Sequence, residues 1–171
     1  MSKNLILTGM MGVGKSTVGK GLAEKLGYTF IDVDKIIEKK EGTSISTIFK
    51  NKGEAYFRTQ ELKVTLKELE KNNSVISLGG GAFINKTIRR IVKSSSISFW
   101  LDVSTSLLIK RLSKSKKRPL LFNKNLSEAI NKIYFERKKI YGEANFRIKC
   151  NSLKTDSIVN KIIKLYESSP N

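Results

Sequence analysis

A three-layer α/β fold, with a five-stranded parallel sheet flanked by helices, is what this sequence predicts, on three observations. Short apolar runs recur at Leu5–Leu7, Tyr28–Val33, Val75–Leu78, Ile97–Leu101 and Phe146–Ile148, with helical spacing between them. Alternation of this kind sets strands side by side and parallel, with helices on both faces. The first run leads directly into Gly9-Met10-Met11-Gly12-Val13-Gly14-Lys15-Ser16, which satisfies G-x-x-x-x-G-K-[ST] without a mismatch. Ligands of such sheets bind beyond the carboxyl ends of the strands, so functional residues are expected just after each apolar run.

Asn4-Leu5-Ile6-Leu7-Thr8 reads as a buried strand, and Ser16 through Leu26 as a helix with Val18, Leu22, Ala23 and Leu26 on one face. The intervening glycines let backbone N–H groups turn inward around phosphates, and the helix N-terminus adds its positive dipole end. Lys15 is then within reach of β/γ-phosphates, and the Ser16 hydroxyl of Mg²⁺. The second strand ends at Asp32 and Asp34, two residues apart and expected on the same side of an extended chain. One carboxylate suits the hydration shell of Mg²⁺, and the other suits an acceptor hydroxyl that it would orient or deprotonate. Asp34 also fits the N-cap of a helix beginning Lys35-Ile36-Ile37-Glu38.

Residues 54–71 are expected to form a helix with Leu62, Leu66 and Leu69 as an apolar stripe and Arg58 one turn before Glu61. Lys71–Ser74 and Ser94–Ser96 read as connections. After the third strand, Gly79-Gly80-Gly81 permits close backbone approach and leaves N–H groups free for an anion or hydroxyl. Helices are expected at 104–112, 125–141 and 155–167, the last with Ile158, Ile162 and Leu165 on one face. Ser113–Lys124 is polar and basic around Arg118-Pro119-Leu120-Leu121, which suits a mobile loop over the site. Arg58 and Arg137 sit beside aromatics in helical segments, and a guanidinium grips a carboxylate through two parallel bonds.

The 171 residues, 39% hydrophobic and 28% charged, fit one domain over 1–171. No run of about 20 apolar residues is present, so no membrane association is expected. The first strand starts within a few residues of Met1, and a cytoplasmic protein is expected. Cys150 is the sole cysteine, which excludes an internal disulfide and a cysteine-cluster metal site, while the lack of histidine excludes imidazole catalysis. The net charge of +18 raises a polyanion-binding reading. Only seven of the 33 basic residues are arginines, and no aromatics interleave the basic runs. That favours a lysine-rich enzyme surface over a nucleic-acid partner.

Six motifs in order resemble those of the shikimate kinases, a P-loop family of nucleoside-monophosphate-kinase-like fold. They are Gly9–Thr17, Phe30-Ile31-Asp32-Val33-Asp34, Gly53-Glu54-Ala55-Tyr56-Phe57-Arg58, Gly79-Gly80-Gly81, Arg118-Pro119-Leu120-Leu121 and Arg137-Lys138-Lys139-Ile140-Tyr141. The resemblance implies transfer of the ATP γ-phosphate to the 3-hydroxyl of shikimate, a step of aromatic amino-acid biosynthesis, by a monomer using Mg²⁺. It implies that Gly12, Val13, Gly14, Lys15, Ser16 and Thr17 hold the nucleotide, with Arg111 stacked on the adenine, and that Ser16 and Asp32 serve the metal. Asp34 would bind the ring hydroxyls and act on the acceptor. Arg58 and Arg137 would hold the carboxylate, Gly80 and Gly81 would offer N–H groups, and Phe49 and Phe57 would wall the ring. Arg118 would come down with a lid at about 112–124, and the acceptor would lie on a helical segment at about 33–62. Asn151–Thr155 departs from the family pattern, having no proline in the expected adenine loop. Among kinases of this fold, gluconate and nucleoside monophosphates are the rival acceptors. The triple glycine and the Arg-Pro-Leu-Leu segment favour shikimate.

Overall fold

The computed structural model describes residues 3–113 and 125–169. Five strands, β1 (Asn4–Thr8), β2 (Thr29–Asp32), β3 (Ser74–Ser77), β4 (Ser96–Asp102) and β5 (Phe146–Lys149), form one sheet in the order β2-β3-β1-β4-β5. Every pairing is parallel, as the alternating pattern predicts. Leu5 of β1 pairs with Val75 on one side and Ile97 on the other. β1, β3 and β4 are buried along their whole length, which is why they read as near-continuous apolar runs. The edge strands β2 and β5 mix exposed and buried positions.

The helices are α1 (Lys15–Leu26), α2 (Val33–Glu41), α3 (Ile45–Leu69), α4 (Lys86–Ser95), α5 (Thr105–Leu112), α6 (Leu126–Tyr141) and α7 (Thr155–Glu167). A 3₁₀ turn at Ala82–Ile84 precedes α4. The core joins Leu5, Ile6, Leu7, Ile76, Phe99 and Leu101 of the sheet to Leu22, Val92, Ile158 and Ile162 of the covering helices. Each such side chain contributes about 1.5–3 kcal/mol on full burial. α1 packs closely on the sheet at Gly19, where an added Cβ would lie 2.4 Å from the Phe30 ring.

Four expectations need correction. The second strand stops at Asp32, because Val33 already begins α2, and the cap of that helix is Asp32 rather than Asp34. Asp32 Oδ1 accepts from Lys35 N at 3.2 Å, and Asp34 lies inside the first helical turn. α3 is two helical stretches that meet at Gly53, whose φ of 81° and ψ of 169° are not helical, so the helix expected from 54 is present and is preceded by a stretch that begins at Ile45. The buried face of α3 carries Phe57, Glu61, Val64 and Glu68, whereas Leu62 and Leu66 are only half-buried. Finally, Ser94 and Ser95 end α4 and Ser96 starts β4, so Ser94–Ser96 is no loop. The expected lid, beyond Leu112 and Ser113, lies outside the described residues, and Arg118 with it.

Candidate active site

β1 delivers the chain into the glycine loop. Gly9 takes φ 136°, and a Cβ there would stand 2.6 Å from the Leu101 carbonyl oxygen, so only glycine fits between β1 and β4. Gly12 and Gly14 also have positive φ, 78° and 99°, and Gly14 is the N-cap of α1. The amides of residues 12–17 thus gather at the positive end of α1. Lys15 folds over the loop and donates from Nζ to Gly9 O and Met10 O, both at 2.9 Å. Arg111 arrives from α5 and donates to the carbonyls of Gly12 and Val13, each at 3.4 Å.

Ser16 Oγ donates to Asp32 Oδ2 at 2.5 Å, so the first residues of α1 and the end of β2 are joined through their oxygens. Asp32 therefore divides its carboxylate between a helix cap and the Ser16 hydroxyl. A hydroxyl and a carboxylate converging beside phosphate-binding amides suit Mg²⁺, which takes few protein ligands and keeps several waters. No cluster of three or more acidic, histidine or cysteine residues that would cage a metal occurs among the described residues.

A cavity of about 420 Å³ runs from this loop to the arginines. Gly12, Gly14, Lys15, Ser16 and Thr17 line it from the loop, and Asp32 and Asp34 from β2 and α2. Phe49, Phe57 and Arg58 line it from α3, Gly80 and Gly81 from the turn after β3, and Arg137 from α6. Of the described site candidates named from sequence, Val13, Gly79 and Arg111 do not line it.

The aromatic pair is in contact, with Phe49 and Phe57 ring centroids 4.9 Å apart. Arg58 lies 5.2 Å over the Phe57 ring and is anchored by Glu61 at 2.7 Å and by Glu54 at 3.1 and 3.2 Å. Its guanidinium covers Gly81, where an added Cβ would meet Nη1 at 2.4 Å. Arg137 Nη1 donates to the Gly80 carbonyl at 3.0 Å. Two guanidinium groups thus flank the glycine turn, an arrangement whose chemistry suits a carboxylate.

Glu61, which helical spacing marks only as a holder of Arg58, also forms part of the cavity wall. Burial pushes its carboxyl above the usual range, Arg58 pulls it back, and Asp34 adds to the rise. Lys35, Glu38 and Ile45 also line the cavity, as do Met11, Ser77 and Leu78, and the first three carry no sequence signal beyond helical periodicity. Glu38 accepts from Lys35 Nζ at 2.7 Å and from Ile45 N at 3.2 Å, tying α2 to the start of α3. Cys150 is buried away from this wall, and burial pushes its thiol up to about 11, so it stays protonated near neutral pH.

The family model for shikimate kinase matches residues 11–167. The shikimate kinase of Sulfurihydrogenibium sp. (strain YO3AOP1) is 44% identical over 161 residues, spanning 94% of this chain and 96% of its own. The structure of shikimate kinase from Acinetobacter baumannii in complex with shikimate superimposes with a TM-score of 0.94 at 34% identity, covering 98% of this chain and 94% of that one. A gluconokinase from Sinorhizobium meliloti 1021 shares only the fold, at 18% identity and a TM-score of 0.62 over 96% of this chain and 94% of its own. With a match over nearly its whole length, this chain belongs to the shikimate kinase family.

Proposed function

We propose that this chain transfers the γ-phosphate of ATP to the 3-hydroxyl of shikimate, giving ADP and shikimate 3-phosphate for aromatic amino-acid biosynthesis. The observation that carries the reading is one cavity holding both halves of the reaction, Lys15 and Ser16 at one end and Arg58 and Arg137 at the other.

The carboxylate of shikimate pairs with Arg58 and Arg137, whose planar forks fix its orientation as well as its charge. Phe49 and Phe57 wall the ring, and the N–H groups of Gly80 and Gly81 face it. Asp34 accepts the proton of the 3-hydroxyl as the new O–P bond forms and the bond from the γ-phosphorus to the β–γ bridging oxygen breaks. Lys15 and the amides of Gly12 to Thr17, Val13 included, hold the phosphates and offset their charge. Ser16 and Asp32 hold Mg²⁺, directly or through water. When bound, the metal supplies charge neutralisation at the phosphate oxygens. Arg111 serves the adenine; the role of Arg118, in the segment at about 112–124, falls outside the described residues. Residues of about 33–62 form the acceptor-binding segment of a single domain. The protein works in the cytoplasm as a monomer, with no nucleic-acid partner.

Release of ADP, coupled to a reporter, tests the reading with shikimate, gluconate and nucleoside monophosphates as acceptors. Turnover with shikimate is expected to exceed that with each other acceptor by at least about 100-fold, because a site built to pair polar groups rejects ligands that leave them unpaired. Turnover confined to one of the other acceptors would overturn it.

A further inference from the structure

Arg137 and Tyr141 stand one helical turn apart on α6, so their side chains share a face. Both donate to the same atom, the Gly80 carbonyl oxygen. That oxygen has two lone pairs, and a guanidinium and a phenol fill them. Gly80 sits in a confined place. A Cβ added there would lie 3.2 Å from Met11 N in the phosphate loop, and one added at Gly81 would lie 2.4 Å from Arg58 Nη1. The turn is thus wedged between the donor loop and the first arginine, and α6 sets its remaining freedom. Tyr141 is fully buried, its ring 6.0 Å from that of Trp100 and its hydroxyl near Met10 Sδ. Burial raises its phenol above the ordinary value, so the hydroxyl keeps its proton and remains a donor throughout the neutral range.

We propose that Tyr141 is a positioning residue of the acceptor site, whose hydroxyl fixes the Gly80 carbonyl and thereby the place where Arg137 presents its free N–H groups to the acceptor carboxylate. Arg137 commits Nη1 to Gly80, which sets the direction in which its guanidinium plane is offered to a planar acid. Without the phenol, the Gly80 carbonyl is anchored by Arg137 alone, and the arginine has nothing rigid to lean on. The inference rests on the reading of Arg58 and Arg137 as the grip on the acceptor carboxylate.

The test is a double-mutant cycle of Tyr141→Phe and Arg137→Lys, with KM for shikimate, KM for ATP and kcat measured for each protein. Tyr141→Phe keeps the ring that packs on Trp100 and loses only the hydroxyl. Its KM for shikimate is expected to rise about threefold to tenfold, the scale of one buried hydrogen bond. Its kcat and its KM for ATP are expected to stay within about twofold. The double variant is expected to show less than the product of the two single effects, because both act through one carbonyl. An unchanged KM for shikimate, a parallel rise in both KM values, or multiplicative effects would each overturn the proposal. A second measurement needs no substitution. Amide hydrogen exchange at residues 79–84 of the unaltered protein is expected to slow at least threefold with shikimate, and unchanged exchange counts against the role. Should the unaltered protein turn over another acid instead, the assignment of the acceptor fails, and the same cycle is read with that acid. If it turns over shikimate while Tyr141→Phe binds shikimate normally, the positioning role alone fails.

Discussion

Asp34 and Glu61 converge on Gly79. A Cβ on that glycine would stand 2.7 Å from Asp34 Oδ1 and 2.4 Å from Glu61 Oε1. The two carboxylates come from α2 and α3, elements joined by a short loop, and they meet where the chain leaves β3. Like charges this close in a shielded place disfavour joint ionisation, and Asp34 accordingly helps to raise the Glu61 carboxyl. Arg58 and Arg137 face the same pair and oppose that rise. The missing side chain at position 79 is what lets both acids reach the cavity.

Gly79→Ala therefore obliges both carboxylates to shift, since contacts under 3.0 Å cannot stand. A displacement of about 1 Å at a reacting group costs on the order of 100-fold in rate. The expected outcome is a loss of kcat/KM for shikimate of at least about 100-fold in a protein whose circular dichroism spectrum is preserved. Activity within tenfold of the unaltered enzyme would show that Asp34 is not held in place by this contact.

Glu61→Gln separates charge from shape. The folded state raises the Glu61 carboxyl above 4.5, chiefly by burial, so it binds that proton more tightly than the unfolded chain does. Stability from this group is complete below about 4.5 and is lost as pH climbs through the raised value. Glutamine carries no such loss. The Tm of Glu61→Gln is thus expected to gain on that of the unaltered protein as pH rises above 4.5, with the other carboxylates cancelling in the difference. Parallel Tm profiles across pH 4–8 would remove the effect.

What the sequence discloses and what it withholds follow from distance along the chain. The glycine loop, Ser16, Asp32, Asp34 and Arg58 are legible because each lies within a few residues of a strand end or a helical partner. The Arg58–Glu61 bond, three residues apart on α3, is legible for the same reason. The Glu38 contact with Ile45 is not, because it depends on how the loop between α2 and α3 turns. Nor is the shared Gly80 acceptor of Arg137 and Tyr141, whose partners are 57 and 61 residues apart. Gly53, at a φ of 81° and a ψ of 169°, separates the helical stretch legible from 54 onward from the shorter one that begins at Ile45 and is not legible. The cap of α2 falls two residues from its expected place because aspartates at 32 and 34 are equally good caps, and only the end of β2 decides between them.

Asp32 offers the sharpest separation of structure from chemistry, because its two oxygens do different work. Oδ1 caps α2 through Lys35 N at 3.2 Å, and Oδ2 accepts from Ser16 Oγ at 2.5 Å. Asparagine caps a helix about as well as aspartate. Asp32→Asn is therefore expected to change stability by less than about 1 kcal/mol, with the Tm falling by a few degrees at most. The substitution removes the negative charge that a hard dication requires of its few protein donors. The Mg²⁺ concentration for half-maximal activity is expected to rise at least about tenfold, equivalent to ~1.4 kcal/mol of lost binding. Titration of Mg²⁺ at saturating ATP and shikimate measures it, and thermal melts of the same samples show whether the cap survives. A large fall in Tm with an unchanged Mg²⁺ requirement would reverse the assignment and leave Asp32 as a helix cap alone.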